Sequence, residues 1–326
     1  MLKKTVYYSL FMLCASSFIG TMQAQRQPSQ YDDFLRSYMG KEYVQTIDSA
    51  KIRITYSLNY VQDSLNLKEV LKDRKVLLIG DKVNHFYSYY VRQQDSLLTA
   101  DYAKRHDLLP IKRAPDILCE GYQIYSNHPN IGQQTVFELV TNLATYQYEE
   151  TMELPQWTLS DETCTILNYS CQKATARFRG RDWEVWFSPD IPSDAGPWKL
   201  QGLPGLIMRA ADTRKHYVFE CIGVEQLKQK KEPIVQPIRF EYQHIKCSRQ
   251  EYRKAQKQFY ENYFQSVLAL GWIIFIDDDA GNTIGKIEPL DESFYEQYGV
   301  VWGMGVSVAE MADRCKKIPY NPIELE

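Results

Sequence analysis

Apolar and polar residues alternate cleanly over Ala50–Gln62, where Ile52, Ile54, Tyr56, Leu58 and Tyr60 fall on one side. A period of two is the signature of a strand with one buried face. A second run, Lys75–Ile79, stops at Gly80-Asp81 and resumes as the aromatic-rich Asn84–Val91, which predicts a hairpin. Residues 95–108 suit a helix, with Leu97, Leu98 and Tyr102 as its stripe. Tyr122–Tyr125 and Val136–Tyr148 read as strands, the latter alternatively as a short helix. Cys164–Arg177 and Trp183–Ser188 are two β-rich runs joined by the polar tip Arg179-Gly180-Arg181-Asp182. Pro189 and Pro192 end the second run, because proline has no N–H to give to a ladder. Ile207–Ala210 and His216–Val224 form a further strand pair, and Trp272–Ile276 with Thr283–Ile287 another hairpin.

One helix stands out. Ser248 is placed as N-cap, and Glu251 three residues on completes a capping box. Tyr252, Ala255, Gln256, Phe259, Tyr263, Val267 and Leu270 then follow a helical stripe to the stop at Gly271. The expected fold is α+β, mainly antiparallel β: a curved sheet of many short strands with one long amphipathic helix at about 249–270. No repeat, low-complexity tract or linker divides the chain, so residues 25–326 are expected to form a single domain.

Residues 1–24 change the picture of where the chain works. Lys3 and Lys4 precede an apolar run from Val6 to about Met22, and Ala24 is a small residue at a cleavage position. The run is short and polar residues follow, which predicts a cleaved signal peptide and export to the periplasm or cell surface. No later run is long enough to span a membrane; Leu268–Ile276 falls far short. The net charge of −3 gives no electrostatic reason to expect nucleic acid as a partner. Beyond the leader stand Cys119, Cys164, Cys171, Cys221, Cys247 and Cys315, an even set that an oxidising compartment can pair in fifteen ways. Cys164 and Cys171 are the nearest pair and can bridge locally or each pair at long range.

The most distinctive segment runs Gly196-Pro197-Trp198-Lys199-Leu200-Gln201-Gly202-Leu203-Pro204-Gly205-Leu206-Ile207. Leu203-Pro204-Gly205-Leu206 has the composition of a type II turn, with proline presetting φ at its second position and Gly205 expected at positive φ at its third. The segment holds no nucleophile, base or metal ligand, so it reads as a rigid corner between two strands, the other reading being a ligand rim built on Trp198. It resembles the signature of the GLPGLI family of exported proteins. The resemblance is strongest over 157–212, through Phe178-Arg179-Gly180-Arg181 and Trp186-Phe187-Ser188-Pro189, and extends to the C-terminal Tyr320-Asn321-Pro322-Ile323-Glu324-Leu325-Glu326. It implies a cell-envelope protein and carries no catalytic residues over.

Other chemistry is sparse. Asp277, Asp279 and Glu288 match the first, third and twelfth positions of a calcium loop, but Asn282 stands where glycine is required, and a solvated hairpin turn is the better reading. His85, His106, His128, His216 and His244 stand in no metal-binding spacing, and no serine elbow, phosphate loop or dinucleotide fingerprint occurs. No cofactor is implied. The expected function is a non-catalytic envelope binding module for an apolar, lipid-like, glycan or protein ligand. An accessory subunit of an envelope complex, or a hydrolase with dispersed carboxylates, stands as the alternative.

Overall fold

The computed structural model describes residues 44–93, 121–141, 144–228, 231–237, 244–261, 272–277, 283–287, 302–307 and 320–325. The signal segment, the helix expected at 95–108, Cys119, Cys315 and His106 lie outside them. In chain order the strands are β1 (Val44–Ala50), β2 (Ile52–Tyr60), β3 (Leu71–Ile79), β4 (Asn84–Ser88), β5 (Gln123–Ser126), β6 (Gln133–Thr141), β7 (Ala144–Thr151), β8 (Thr158–Ile166), β9 (Tyr169–Phe178), β10 (Arg181–Ser188), β11 (Leu206–Asp212), β12 (Tyr217–Gln226), β13 (Glu232–Pro237), β14 (His244–Lys246), β15 (Trp272–Asp277), β16 (Thr283–Ile287) and β17 (Trp302–Ser307). The longest helix among the described residues, α1 (Arg249–Glu261), lies between β14 and β15, and a short helical stretch covers 89–93.

The chain divides into two compact units, Met39–Arg253 with Tyr320–Glu326, and Met1–Tyr38 with Lys254–Pro319. In the first, twelve strands form one sheet in the order β14-β7-β6-β5-β4-β3-β2-β12-β11-β10-β9-β8. Every pairing in it is antiparallel except β14 with β7, which is parallel. β1 and β13 pair separately. In the second unit β15 pairs antiparallel with β16 and parallel with β17.

Alternation in β2 sets the main core. Ile54, Tyr56, Leu58 and Tyr60 all point to one face and are buried with Phe86, Tyr148, Trp183 and Phe219 from other strands. Val76, Leu78, Tyr87 and Tyr125 project to a second buried cluster, shared with Ala50 of β1 and Ile234 of β13. β7 and the β9–β10 turn stand far apart in the strand order, yet Arg179 reaches Glu150 at 3.1 Å. The sheet of the first unit therefore curls around the main core.

The expected α+β fold with a long helix is corrected here. The described residues are mostly β, dominated by a mixed twelve-stranded sheet, and α1 is described over thirteen residues; 262–270 lie outside the described residues. The capping box does form: the Glu251 N–H donates to Ser248 Oγ at 3.2 Å and the Ser248 N–H to Glu251 Oε2 at 2.7 Å. Of the expected stripe, Tyr252 and Phe259 are buried and Ala255 and Gln256 partly so, while Tyr263, Val267 and Leu270 lie outside the described residues.

Turn residues were the second difference. The run read as Cys164–Arg177 is split by a two-residue hairpin turn, in which Leu167 and Asn168 have φ of 49° and 68°. Both values are left-handed, as hairpin turns of the mirror-image type require.

Candidate functional site

A shallow polar and aromatic depression opens where β4 ends and the chain turns helical at residues 89–93. It is lined by Tyr87, Ser88, Val91, Arg92 and Gln123 and encloses about 20 Å³. That is room for one hydroxyl-sized group, not for a whole ring. The register puts His85 opposite Tyr125, so His85, Tyr87, Gln123 and Tyr125 share one face. The His85 ring stacks on Tyr125 with centroids 4.0 Å apart. Its Nε2 stands 3.2 Å from Gln123 Oε1, while its buried Nδ1 has no hydrogen-bond partner. The Tyr125 hydroxyl donates to the Val235 carbonyl at 2.9 Å, and the Arg92 guanidinium covers the Tyr87 ring at 5.3 Å.

The electrostatics of this wall are plain. Burial, helped by Arg92, pushes the His85 imidazole down to about 3, so it is neutral across the ordinary pH range. Burial likewise holds the Tyr87 hydroxyl up at about 12. Behind Ser88, its Oγ donates to Asp73 Oδ1 at 2.9 Å, and the fully buried Lys75 sits 2.9 Å from Asp73 Oδ2. The lining thus offers a guanidinium, an amide and a hydroxyl, groups that can hydrogen-bond a small polar substituent.

A second polar centre lies inside the fold. Lys199 reaches Glu150 Oε1 at 2.6 Å and is also paired with Glu324. Arg249 bonds Glu324 Oε2 through Nη2 at 2.7 Å, and Arg179 holds Glu150 Oε2 at 3.1 Å. Burial raises the Glu324 carboxyl, but Lys199 and Arg249 outweigh it and hold it at about 2. Beside this, Arg181 clasps Asp212 at 2.9 Å, the Asn321 side-chain oxygen at 2.8 Å and the Ile323 carbonyl at 2.8 Å. Glu324 with Lys199 and Arg249, and Arg181 with Asn321 and Ile323, fasten segment 320–325 to the sheet.

The residues of the Pro-Gly segment do not line this depression. Gly196, Pro197, Trp198, Leu203, Gly205, Leu206 and Ile207 are buried, whereas Gly202 and Pro204 are exposed. Trp198 packs on Trp183 at 5.7 Å and on Phe178 at 5.8 Å. The expected turn geometry is corrected: positive φ falls on Trp198 (56°) and Gly202 (91°), not on Gly205. Gly205 is needed for closeness instead, since a Cβ there would lie 2.3 Å from the Ser188 carbonyl oxygen. Sequence reasoning also missed Arg179 and Arg181, taken as a polar hairpin tip and in fact buried. The signal for them was the Asn321-Pro322-Ile323-Glu324 terminus, whose acceptors need cations. His216 meets the Asn321 amide at 3.3 Å and His128 meets Gln236 at 2.7 Å. Among the described residues no cluster of three or more metal-ligating side chains occurs, and no helix is long and apolar enough to cross a membrane.

A family model described as "N-glycanase peptide, N-terminal domain" matches residues 103–244, a little under half of the chain. Two solved structures of PNGF-II, in different space groups, are similar at 14% identity. The first covers 64% of this chain and 32% of its own, with a TM-score of 0.41; the second covers 63% and 32%, with 0.40. The chain thus spans about a third of the length of those proteins. No curated protein matches it. These findings correct two expectations. The match over 103–244 contains the whole of 157–212, and it is to the N-glycanase domain, not to the GLPGLI family. A Pro-Gly corner with aliphatic flanks records a steric need of the sheet, and that need does not identify a family. The expected non-catalytic envelope binding module falls with the resemblance, because the matching domain is one of a glycan-related protein.

Proposed function

We propose that this chain takes part in the processing of protein N-glycans, with the unit containing 103–244 engaging the glycan. The observation that carries the reading is the match of that stretch to the N-terminal domain of an N-glycanase. The depression at Tyr87, Ser88, Val91, Arg92 and Gln123 supports it, because its size and hydrogen-bonding lining suit a single sugar substituent. In this reading a sugar hydroxyl or acetamido group enters the depression and the ring lies across its rim. The leader at residues 1–24 fits work outside the cytoplasm, where glycoproteins are met.

The test uses the full chain with an N-glycosylated peptide, in high-mannose and complex forms. Chemical-shift or calorimetric titration reads binding, and mass spectrometry reads conversion of the glycosylated Asn to Asp. Binding or release with at least one glycoform is expected, absent with the unglycosylated peptide. Gln123→Ala should weaken binding by roughly three- to tenfold, the worth of one neutral hydrogen bond, and Arg92→Ala by about tenfold or more, because its guanidinium bonds are charge-assisted. If neither glycoform binds or is cleaved, the reading is wrong.

A further inference from the structure

The hairpin β8–β9 sets two thiols directly opposite each other. Cys164 and Cys171 are register partners, three pairs from the Leu167-Asn168 turn. Directly opposed residues in an antiparallel pair have Cα atoms about 4.5 or about 5.5 Å apart, inside the range of roughly 4.4–6.8 Å that a disulfide spans. Their side chains share one face: Cys171 is buried in the main core, and Cys164, partly exposed, packs against it. The Cys171 thiol donates to the Tyr169 carbonyl at 3.5 Å, within the same hairpin. β8 is the last strand of the twelve-stranded sheet, mostly exposed, and its register slips between Leu159 and Thr163. An exposed edge strand is where pairing is least secured, and a covalent tie to β9 would hold its register.

We propose that Cys164 and Cys171 are a modification site, closing to a cross-strand disulfide that fastens β8 to β9. The oxidant is another disulfide, as in glutathione disulfide or a disulfide-exchange protein. The Cys164 thiolate, on the accessible side, attacks one sulfur of the oxidant and releases the other as a thiol. The Cys171 thiolate then attacks Cys164 Sγ in that mixed disulfide and releases the second thiol. The protein loses two protons and two electrons, and the oxidant becomes two thiols. The second step is intramolecular, which compensates for a buried Cys171 thiol that burial and the neighbouring Cys164 hold up at about 11. Cys221 also neighbours Cys171 but lies on β12, whose strand is separated from β9 by β11 and β10.

The full chain is equilibrated with glutathione disulfide, alkylated in denaturant without reduction, and cut after Leu167 or Tyr169. The expected product is a pair of peptides joined through Cys164 and Cys171, with two fewer alkylated thiols, reversed by dithiothreitol. Amide exchange over 158–166 should slow in the oxidised form. A Cys221→Ser chain should give the same joined pair. Recovery of both cysteines alkylated, or of either joined to Cys221 or another cysteine, overturns the proposal.

Discussion

Lys199 sits inside the Pro-Gly corner, yet its ammonium reaches Glu150 on one strand and Glu324 near the terminus. Its side chain is 1% exposed, so removing its charge leaves two carboxylates short of a cation in a poorly solvated place. Lys199→Met should therefore destabilise the unit by about 3 kcal/mol, read from the urea midpoint; Arg249 and Arg179 keep the loss near the lower end for broken buried pairs. Glu324 gives the matching pH signature. Its folded carboxyl is held at about 2 against an ordinary 4.5. A depressed folded value means that its contribution is complete above pH 4.5 and is lost as pH falls toward 2. Glu324→Gln should lower stability at neutral pH and flatten the acid limb between those values; an unchanged limb would assign acid unfolding to other groups. Glycine makes the complementary case through shape. Gly205→Ala would set a methyl 2.3 Å from the Ser188 carbonyl oxygen, which only backbone movement can relieve. Thermal unfolding of that variant should report a loss of about 1–3 kcal/mol.

Among elements, the hairpin turns carry the clearest test. Leu167 holds φ at 49°, where its Cβ crowds the following carbonyl at a cost of about 1–2 kcal/mol. Replacing Leu167-Asn168 by Asn-Gly supplies residues that accept such angles and should stabilise the protein by up to about 1 kcal/mol in denaturant titration. At α1 the opposite holds: Ser248→Ala removes the oxygen that caps Glu251 N–H and should cost about 1 kcal/mol. These elements mark how far the chain can be read without coordinates. Ile52–Tyr60 is legible because a strand with one buried face must alternate, and the capping box is legible because it is local. The β8–β9 turn is not, since Leu167 at positive φ contradicts its own preference and is held there by the pairing on both sides. The depression is less legible still. His85, Gln123 and Arg92 meet through the lateral order of β4 and β5 and the turn after β4, which no spacing in the chain encodes.

For the larger unit as a whole, segment 320–325 is fastened to the sheet by groups from several strands. Arg181 is anchored by Asp212 from within the sheet and by Asn321, Pro322 and Ile323 from the terminus. The Tyr217 hydroxyl donates to the Asn321 carbonyl at 2.9 Å, and the Asn321 amide donates to the Val61 carbonyl at 2.7 Å. Glu324 meanwhile neutralises Lys199 and Arg249. One segment thus satisfies cations, donors and acceptors from the stretch after β2, from β10, β12 and α1, and from the Pro-Gly corner. Deleting residues 320–326 strips all of these at once, where Lys199→Met removes one. The truncated chain should lose more stability than any single variant above, by at least about 3–5 kcal/mol. A synthetic peptide of sequence Tyr-Asn-Pro-Ile-Glu-Leu-Glu added in trans should raise its melting temperature in a concentration-dependent way, because it binds the folded state alone. It must do so at high concentration, having lost the tether that makes docking intramolecular in the intact chain. A truncated chain that melts with the parent would mean that the network merely decorates a sheet stable without it.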